Sequence, residues 1–180
     1  DGYDSDVDVP LAEGGMITYL PGSTGGPDVS QAHSFNQDSS GIPGVAEGYE
    51  DPTGSDHFGT GVSVGDINGD GFADVATGLP GEDFDGVHNA GSFIVLRGTA
   101  NGLTGTGAED FTQNSDAIPG VAEKADWFGS ATKLVDADGN GTADLVVGAS
   151  GENGYAGSVW VLTSTASGVT PTGSITFGAG

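Results

Sequence analysis

Short apolar runs of about four to seven residues, rich in Val, Ile, Phe and Trp, recur along the chain between Gly, Asn, Asp and Pro residues. Runs of this length, bounded by turn-forming residues, are typical of β-strands joined by tight turns. No segment of the sequence shows sustained helical periodicity. In the central part of the chain the pattern predicts four strands, at Gly59–Gly65, Ala73–Thr77, Ser92–Arg97 and Glu109–Gln113.

The strands belong to a unit of about 70 residues that repeats along the chain. The dipeptide Phe58-Gly59 returns as Phe128-Gly129, and the segment Ile42–Glu47 returns unchanged as Ile118–Glu123. Four antiparallel strands in each repeated unit are typical of the blades of a β-propeller. The predicted fold is therefore all-β, built of four-stranded antiparallel blades, of which about two and a half are present.

The repeat divides the chain into three predicted parts. Residues 1–56 form a partial blade with a connecting loop, residues 57–126 form a complete blade, and residues 127–180 form a blade that is truncated at its end. A propeller ring closes with roughly four to eight blades. We therefore expect a partial propeller, completed by missing chain or by partner subunits.

Each of the two later units carries an Asp-rich loop, at residues 66–74 and 136–144. Oxygen-bearing side chains at loop positions 1, 3, 5 and 9, with glycine at position 6, allow a short loop to curl around one hard cation. The main-chain carbonyl of position 7 would add a ligand, and three carboxylates per loop suit Ca²⁺ better than Mg²⁺. The predicted metal ligands are Asp66, Asn68, Asp70, Phe72 and Asp74 in the first loop, and Asp136, Asp138, Asn140, Thr142 and Asp144 in the second.

Two other interpretations of these loops are weaker. They are not EF-hand loops, because Thr77 and Val147 occupy position 12, where an EF-hand has a bidentate Glu, and because the flanking segments look like strands. A plain Asp/Asn/Gly hairpin turn without an ion is the simpler alternative. Recurrence of the loop in register and the mutual repulsion of its carboxylates favour a bound cation.

The order of these motifs resembles the FG-GAP repeat of integrin alpha subunits. Phe-Gly is followed by Asp-x-Asn-Gly-Asp-Gly-x-x-Asp and then by Gly-Leu-Pro-Gly-Glu at Gly78–Glu82. The segments Ile118–Glu123 and Val95–Ala100 look like secreted FG-GAP proteins of bacteria, actinobacteria especially. The resemblance implies a propeller, usually of seven blades, with calcium held between the first two strands of a blade by the ten ligand positions above. In the second unit the Gly-Ala-Pro element reads Gly148-Ala149-Ser150, a small departure outside the metal loop.

The two ends of the chain resemble further pieces of the repeat. Asp1-Gly2-Tyr3 looks like the second half of a third metal loop, but Ser5 stands at its position 9 and its positions 1 and 3 are missing. Two complete calcium sites are therefore predicted, with only a partial third site near Asp1. Residues 173–178 resemble the fourth strand of a blade.

Charge excludes several classes of function. The chain has 3 basic and 26 acidic residues, which gives a formal charge of −23, and two bound Ca²⁺ ions would bring it to −19. Nucleic-acid binding needs Lys and Arg, and an anionic membrane would repel the chain, so neither nucleic-acid binding nor membrane insertion is predicted. There is no cysteine, and no apolar run approaches the roughly 18 residues of a transmembrane helix. We expect a secreted, extracellular or cell-surface protein.

Candidate catalytic groups are weak. Gly61–Gly65 fits Gly-x-Ser-x-Gly, but Ser63 lacks the strand–turn–helix context of a nucleophile elbow. The three histidines do not recur in the repeat, and Glu82, Asp83 and Asp85 are better explained as an acidic loop than as glycosidase carboxylates. Four aromatic residues, Phe58, Phe128, Trp127 and Trp160, are most simply explained as packing between blades, with carbohydrate stacking at Trp127 as an alternative.

The leading hypothesis is thus an extracellular calcium-binding FG-GAP module with a structural, adhesion or binding role and no catalysis. One alternative is a subunit of a calcium-stabilised extracellular assembly or filament, because the blades are too few to close a ring. A second alternative is the accessory propeller part of a secreted hydrolase. The sequence does not identify the protein or carbohydrate ligand, and it favours self-association or further blades as partners.

Overall fold

The computed structural model describes residues 14–48 and 54–178, and almost all regular structure in this part of the chain is β. Eight strands form two four-stranded antiparallel sheets, which we call the middle sheet and the last sheet, and the other strands form three two-stranded pairs. The strands are β1 (Ile17–Tyr19), β2 (Gly22–Ser23), β3 (Gly26–Pro27), β4 (His33–Phe35), β5 (Thr60–Gly65), β6 (Asp74–Leu79), β7 (Ser92–Thr99), β8 (Gly102–Phe111), β9 (Phe128–Val135), β10 (Asp144–Ala149), β11 (Ser158–Leu162), β12 (Ser164–Thr165), β13 (Gly168–Val169) and β14 (Ile175–Gly178); the helical elements are a 3₁₀ turn at Val29–Gln31 and the single turn α1 (Glu152–Tyr155).

The middle sheet has the strand order β5-β6-β7-β8. Its first three strands lie within two residues of their predicted bounds. The fourth strand is much longer than predicted, because β8 pairs with β7 at both ends, Thr99 with Gly102 and Phe93 with Phe111, around an irregularity in the register. Three glycines, Gly102, Gly105 and Gly107, disfavour a strand at the start of β8, and pairing within the sheet overrides that local preference.

The last sheet has the order β9-β10-β11-β14, so the segment that resembles a fourth blade strand does pair as one. The small hairpin β12–β13 lies between β11 and β14 in the chain. It corresponds to the outer ends of β7 and β8 in the middle sheet, where the same hairpin is continuous with the long strands. The two sheets thus share one topology and differ in how far their outer hairpin is joined to the sheet.

The first pair of strands, which we call the first sheet, consists of β1 and β4. The register of Ile17 with Phe35 matches that of Phe93 with Phe111 in the middle sheet, so β1 and β4 are the equivalents of β7 and β8. The predicted partial metal site near Asp1 lies outside the described residues.

The sheets follow one another in chain order, and a Phe-Gly dipeptide lies at each junction between them. Isolated parallel bridges pair Gly15 with Phe58 and Gly91 with Phe128, and the Phe128 N–H donates to Ala90 O over 3.0 Å. A Cβ atom on Gly91 would overlap the backbone of Phe128. Glycine is therefore needed for the close backbone approach that sets one sheet against the next.

The main core lies between the middle and last sheets. The Phe93 and Phe111 rings are stacked with centroids 5.0 Å apart, and the Phe128 and Trp160 rings meet edge to face at 5.1 Å. Trp160 also donates from Nε1 to Pro119 O over 2.7 Å, which satisfies its buried N–H. Successive four-stranded antiparallel sheets packed face to face in this way are the blades of a partial β-propeller.

Candidate metal centres

Both Asp-rich loops join the first two strands of a four-stranded sheet. The first runs from Asp66, directly after β5, to Asp74, the first residue of β6; the second runs from Asp136, after β9, to Asp144, the first residue of β10. The Ala143 N–H donates to Asp66 O over 2.8 Å, so the two loops lie side by side at the same edge of adjacent sheets.

The first loop is curled by bonds from its main chain to its own side chains. Asp66 accepts from the Gly69 N–H over 2.7 Å and from the Gly71 N–H over 2.9 Å. Asp70 Oδ1 accepts from the Phe72 N–H over 2.8 Å. Gly69 and Gly71 both have positive φ, 74° and 88°, which explains glycine at loop position 4 as well as at position 6.

Asp74, at position 9, anchors this loop to the sheet. Its side chain is fully buried, with Oδ2 accepting from the Ile67 N–H over 3.0 Å and Oδ1 accepting from the Gly98 N–H of β7 over 2.8 Å. Burial raises the pKa of Asp74, although the bonds from Gly98 and Ile67 and the positive charge of Arg97 lower it. The sequence predicts Asp74 as a ligand but gives no sign of its hydrogen bond with Gly98.

The second loop repeats this geometry. Asp136 accepts from the Gly139 N–H over 2.7 Å and from the Gly141 N–H over 3.1 Å. The buried Asp144 accepts from the Ala137 N–H and from the Ser164 N–H, each over 2.9 Å. Ser164 takes the place of Gly98, so the anchoring role of position 9 recurs with a different donor.

Three carboxylates converge in the second loop. One oxygen from each of Asp136, Asp138 and Asp144 lies within 4.8 Å of the others, and this trio is the one such group of His, Cys, Asp or Glu within residues 14–48 and 54–178. In the first loop, position 3 is Asn68, which donates from Nδ2 to Asp70 Oδ2 over 2.9 Å.

The donor set of the second loop fits a hard divalent cation, because it consists only of oxygens and concentrates three carboxylates in one place. Such a cation would bind to Asp136, Asp138 and Asp144 and would neutralise their repulsion. The structure brings these three predicted ligands together. It places Asn140 and Thr142 in the same loop, where Asn140 Oδ1 accepts from the Thr142 N–H over 2.7 Å. It does not gather the three carboxylates of the first loop as closely.

Other side chains singled out from the sequence have structural contacts. Ser63 is buried, and its Oγ accepts from the Leu134 N–H of the last sheet over 2.8 Å. His88 Nδ1 lies 2.6 Å from Asp83 Oδ2. Trp127 is only half-buried, unlike the other aromatic residues predicted to pack between blades. The centroid of its ring lies 5.6 Å from that of the exposed Tyr155. Carbohydrate stacking at Trp127 stays a prediction.

Fold and loops together define a repeat protein of the propeller class, with an Asp-rich hairpin in each of the middle and last sheets. The model of the FG-GAP repeat family matches residues 58–96 and 128–162, and each match begins at the Phe of a Phe-Gly dipeptide and ends in the third strand of a sheet. Two segments of the chain thus match the FG-GAP repeat.

Curated relatives contain similar segments. The chain is 33% identical over 104 residues to phosphatidylinositol-glycan-specific phospholipase D of Mus musculus, 34% identical over 96 residues to integrin alpha-5 of Xenopus laevis, and 37% identical over 90 residues to integrin alpha-E of Mus musculus. These segments cover 56%, 52% and 48% of this chain, but only 12%, 8% and 7% of the relatives. The bacterial secreted subtype stays a prediction. Within the described ranges no helix combines the length and apolar character that crossing a membrane requires.

Proposed function

We propose that the protein is an extracellular calcium-binding module with a binding or adhesion role and no catalysis. The observation that carries the proposal is the convergence of Asp136, Asp138 and Asp144 within 4.8 Å, in a loop whose backbone geometry recurs at residues 66–74. The integrin relatives support an extracellular or cell-surface location and a binding role. Calcium would act structurally, by neutralising clustered carboxylates and fixing the first hairpin of each blade.

The proposal predicts that calcium stabilises the folded protein. Extracellular calcium modules bind with dissociation constants of roughly 10⁻⁴–10⁻³ M, so the melting temperature should rise as free calcium passes through this range. Asp138→Asn should weaken calcium binding by about tenfold or more, because it removes one of three charges from the site. The exposed Asp116 lies outside both loops, so Asp116→Asn is the matched control.

Calorimetric titration and thermal melts in calcium and in excess chelator test this prediction. A melting temperature that is the same in calcium and in chelator would contradict the proposal. Equal calcium affinity of the Asp138→Asn and Asp116→Asn variants would contradict the assignment of the site.

A second candidate function, self-assembly, is favoured by one surface. We call the face that each sheet turns toward the next sheet in the chain its far face. On the middle sheet this face carries Phe93 and Phe111, which the last sheet buries. The registers place Val159 and Phe177 at the equivalent positions of the last sheet, where they are 40% and 60% exposed. We propose that a further blade, or a second copy of the chain, packs on this surface.

A third candidate is the accessory propeller part of a hydrolase, and the match to a phospholipase D favours it. The match covers 12% of that protein, so the proposal concerns a shared repeat and no catalytic residue of this chain. The open reading frame around the chain tests it: a neighbouring catalytic domain would support this candidate, and a frame made only of further repeats would remove it.

A further inference from the structure

Two buried glutamines connect successive sheets at equivalent positions. Gln37 follows β4 of the first sheet, and its Nε2 donates to Glu82 Oε2, beyond the end of β6, over 2.6 Å. Gln113 follows β8 of the middle sheet, and its Nε2 donates to Glu152 Oε2, beyond the end of β10, also over 2.6 Å. The two glutamines are only 3% and 1% exposed. Each pair therefore forms a buried polar contact between successive sheets.

Each pair lacks one hydrogen-bond donor. The Oε1 atoms of Gln37 and Gln113 are buried and have no hydrogen-bond partner. A buried amide oxygen without a partner destabilises a fold, so the same omission at two equivalent places calls for a physical cause. An ionised carboxylate cannot supply the donor, whereas a protonated carboxyl group can donate through its O–H.

A proton on the glutamate helps in either orientation of the amide. With Nε2 toward the carboxyl group, the N–H bonds a carboxylate or an acid, but only a protonated Glu can also donate back to the buried Oε1 and close a ring of two hydrogen bonds. The reverse orientation would place two acceptor oxygens 2.6 Å apart, which is stable only if one carries the proton.

The surroundings of both glutamates disfavour their charged forms. Burial is the largest cause, and it raises the pKa of Glu82 to about 8 although the bond from Gln37 lowers it. Among the described residues, the charged groups that raise the pKa of Glu82 are Asp56, Asp110 and Glu47. Burial likewise raises the pKa of Glu152, which faces Asp126 and Glu123 while Gln113 lowers its pKa.

We propose that Glu82 and Glu152 are protonated in the folded protein at mildly acidic pH and form amide–carboxylic acid pairs with Gln37 and Gln113, so that the contacts between successive sheets depend on a bound proton. Loss of the proton leaves a carboxylate among other carboxylates and removes one of the two hydrogen bonds. The contacts between sheets then weaken. Both pairs lie at the opposite end of the sheets from the metal loops, so this proton dependence is separate from calcium binding.

The sign of the effect follows from proton linkage. Glu82 has a pKa of about 8 in the folded protein against an ordinary value of 4.5, so the folded state binds the proton more tightly than the unfolded state does. Its stabilising contribution is complete below about pH 4.5 and is lost as the pH rises through about 8. In saturating calcium, the melting temperature should fall by about 3 °C or more between about pH 6 and about pH 9.

Carboxyl ¹³C NMR of glutamate-labelled protein in saturating calcium tests the proposal directly. The signals of Glu82 and Glu152 are assigned by their absence from the Glu82→Gln and Glu152→Gln variants. We expect Glu82 to titrate near pH 8 and Glu152 above 4.5. Titration of both groups at or below pH 4.5 would overturn the proposal. The titration itself is done on folded wild-type protein.

The same variants give a second readout. A glutamine at position 82 can form two hydrogen bonds with the Gln37 amide, so Glu82→Gln imitates the protonated state. The double variant, Glu82→Gln with Glu152→Gln, should have the melting temperature of the wild type near pH 6. Near pH 9 it should lose much less stability than the wild type does, whereas Asp116→Asn should keep the wild-type pH profile. A double variant with the wild-type pH profile would overturn the proposal.

Discussion

At the scale of single residues, the aspartates of the first Asp-rich loop make different contacts. The loop spacing predicts ligands at the same positions of both loops, because alternate side chains of a tight loop converge on one side. It could not distinguish Asp74, which is fully buried and accepts from two main-chain N–H groups, from Asp70, which lies exposed in the loop. The bond from Gly98 depends on a residue 24 positions away, and loop spacing carries no information about such a contact.

Because of this difference, substitutions of Asp74 and Asp70 should affect stability differently when calcium is removed. In chelator, Asp74→Ala should lower the free energy of unfolding by about 2–4 kcal/mol, because the buried Ile67 and Gly98 N–H groups lose their acceptor. Asp70→Ala should have little effect in chelator and should be destabilising only in calcium. Urea denaturation of both variants in each condition measures this. Equal losses for the two variants in chelator would contradict the anchoring role of Asp74.

At the scale of the elements, the contacts between sheets depend on glycine as much as on aromatic residues. Four aromatic residues were predicted to pack between blades, and three of them, Phe58, Phe128 and Trp160, are buried, whereas Trp127 is only half-buried. The repeat did not show why glycine follows Phe128. A Cβ atom on Gly129 would overlap Ser92 O of the neighbouring sheet, and such a contact becomes visible only once the sheets are placed together.

Substitution of Gly129 separates the steric cost from the backbone cost. Gly129 and Gly173 have nearly the same positive φ, 86° and 85°, but a Cβ atom on Gly173 would meet no atom within 4 Å. Gly173→Ala should therefore cost about 1–2 kcal/mol from its backbone conformation alone. Gly129→Ala should cost about 3 kcal/mol or more, since the last sheet must also move away from the middle sheet. If denaturation gives equal losses for both variants, the close approach at Gly129 is not needed for stability.

At the scale of the whole molecule, the repeat predicted most of the architecture. It gave the all-β class, the strands of the middle sheet and the two hairpins that carry the aspartates, because each unit repeats a local pattern. The length of β8 could not be predicted, since its first residues become a strand only by pairing with β7. Gln37 and Glu82 each recur in the repeat, but the sequence could not show that they contact each other across an interface.

The exposed far face of the last sheet yields the final prediction. In the middle sheet the equivalent residues, Phe93 and Phe111, are buried against the last sheet, so Val159 and Phe177 expose an apolar surface of the kind that the middle sheet buries. If a second copy covers it, the wild type should associate with rising concentration in calcium, in a head-to-tail manner that forms rings or filaments. Phe177→Lys should suppress this association and leave the melting temperature of dilute protein unchanged, because Phe177 is already 60% exposed.

Sedimentation velocity over a range of concentrations measures this association. Val45→Lys is the matched control, since Val45 is a similarly exposed apolar residue that does not belong to the far face of the last sheet. Association that Val45→Lys preserves and Phe177→Lys removes would assign the contact to the far face. Wild-type protein that stays monomeric at every concentration, with calcium and with chelator, would exclude self-assembly and leave a further blade as the proposed cover.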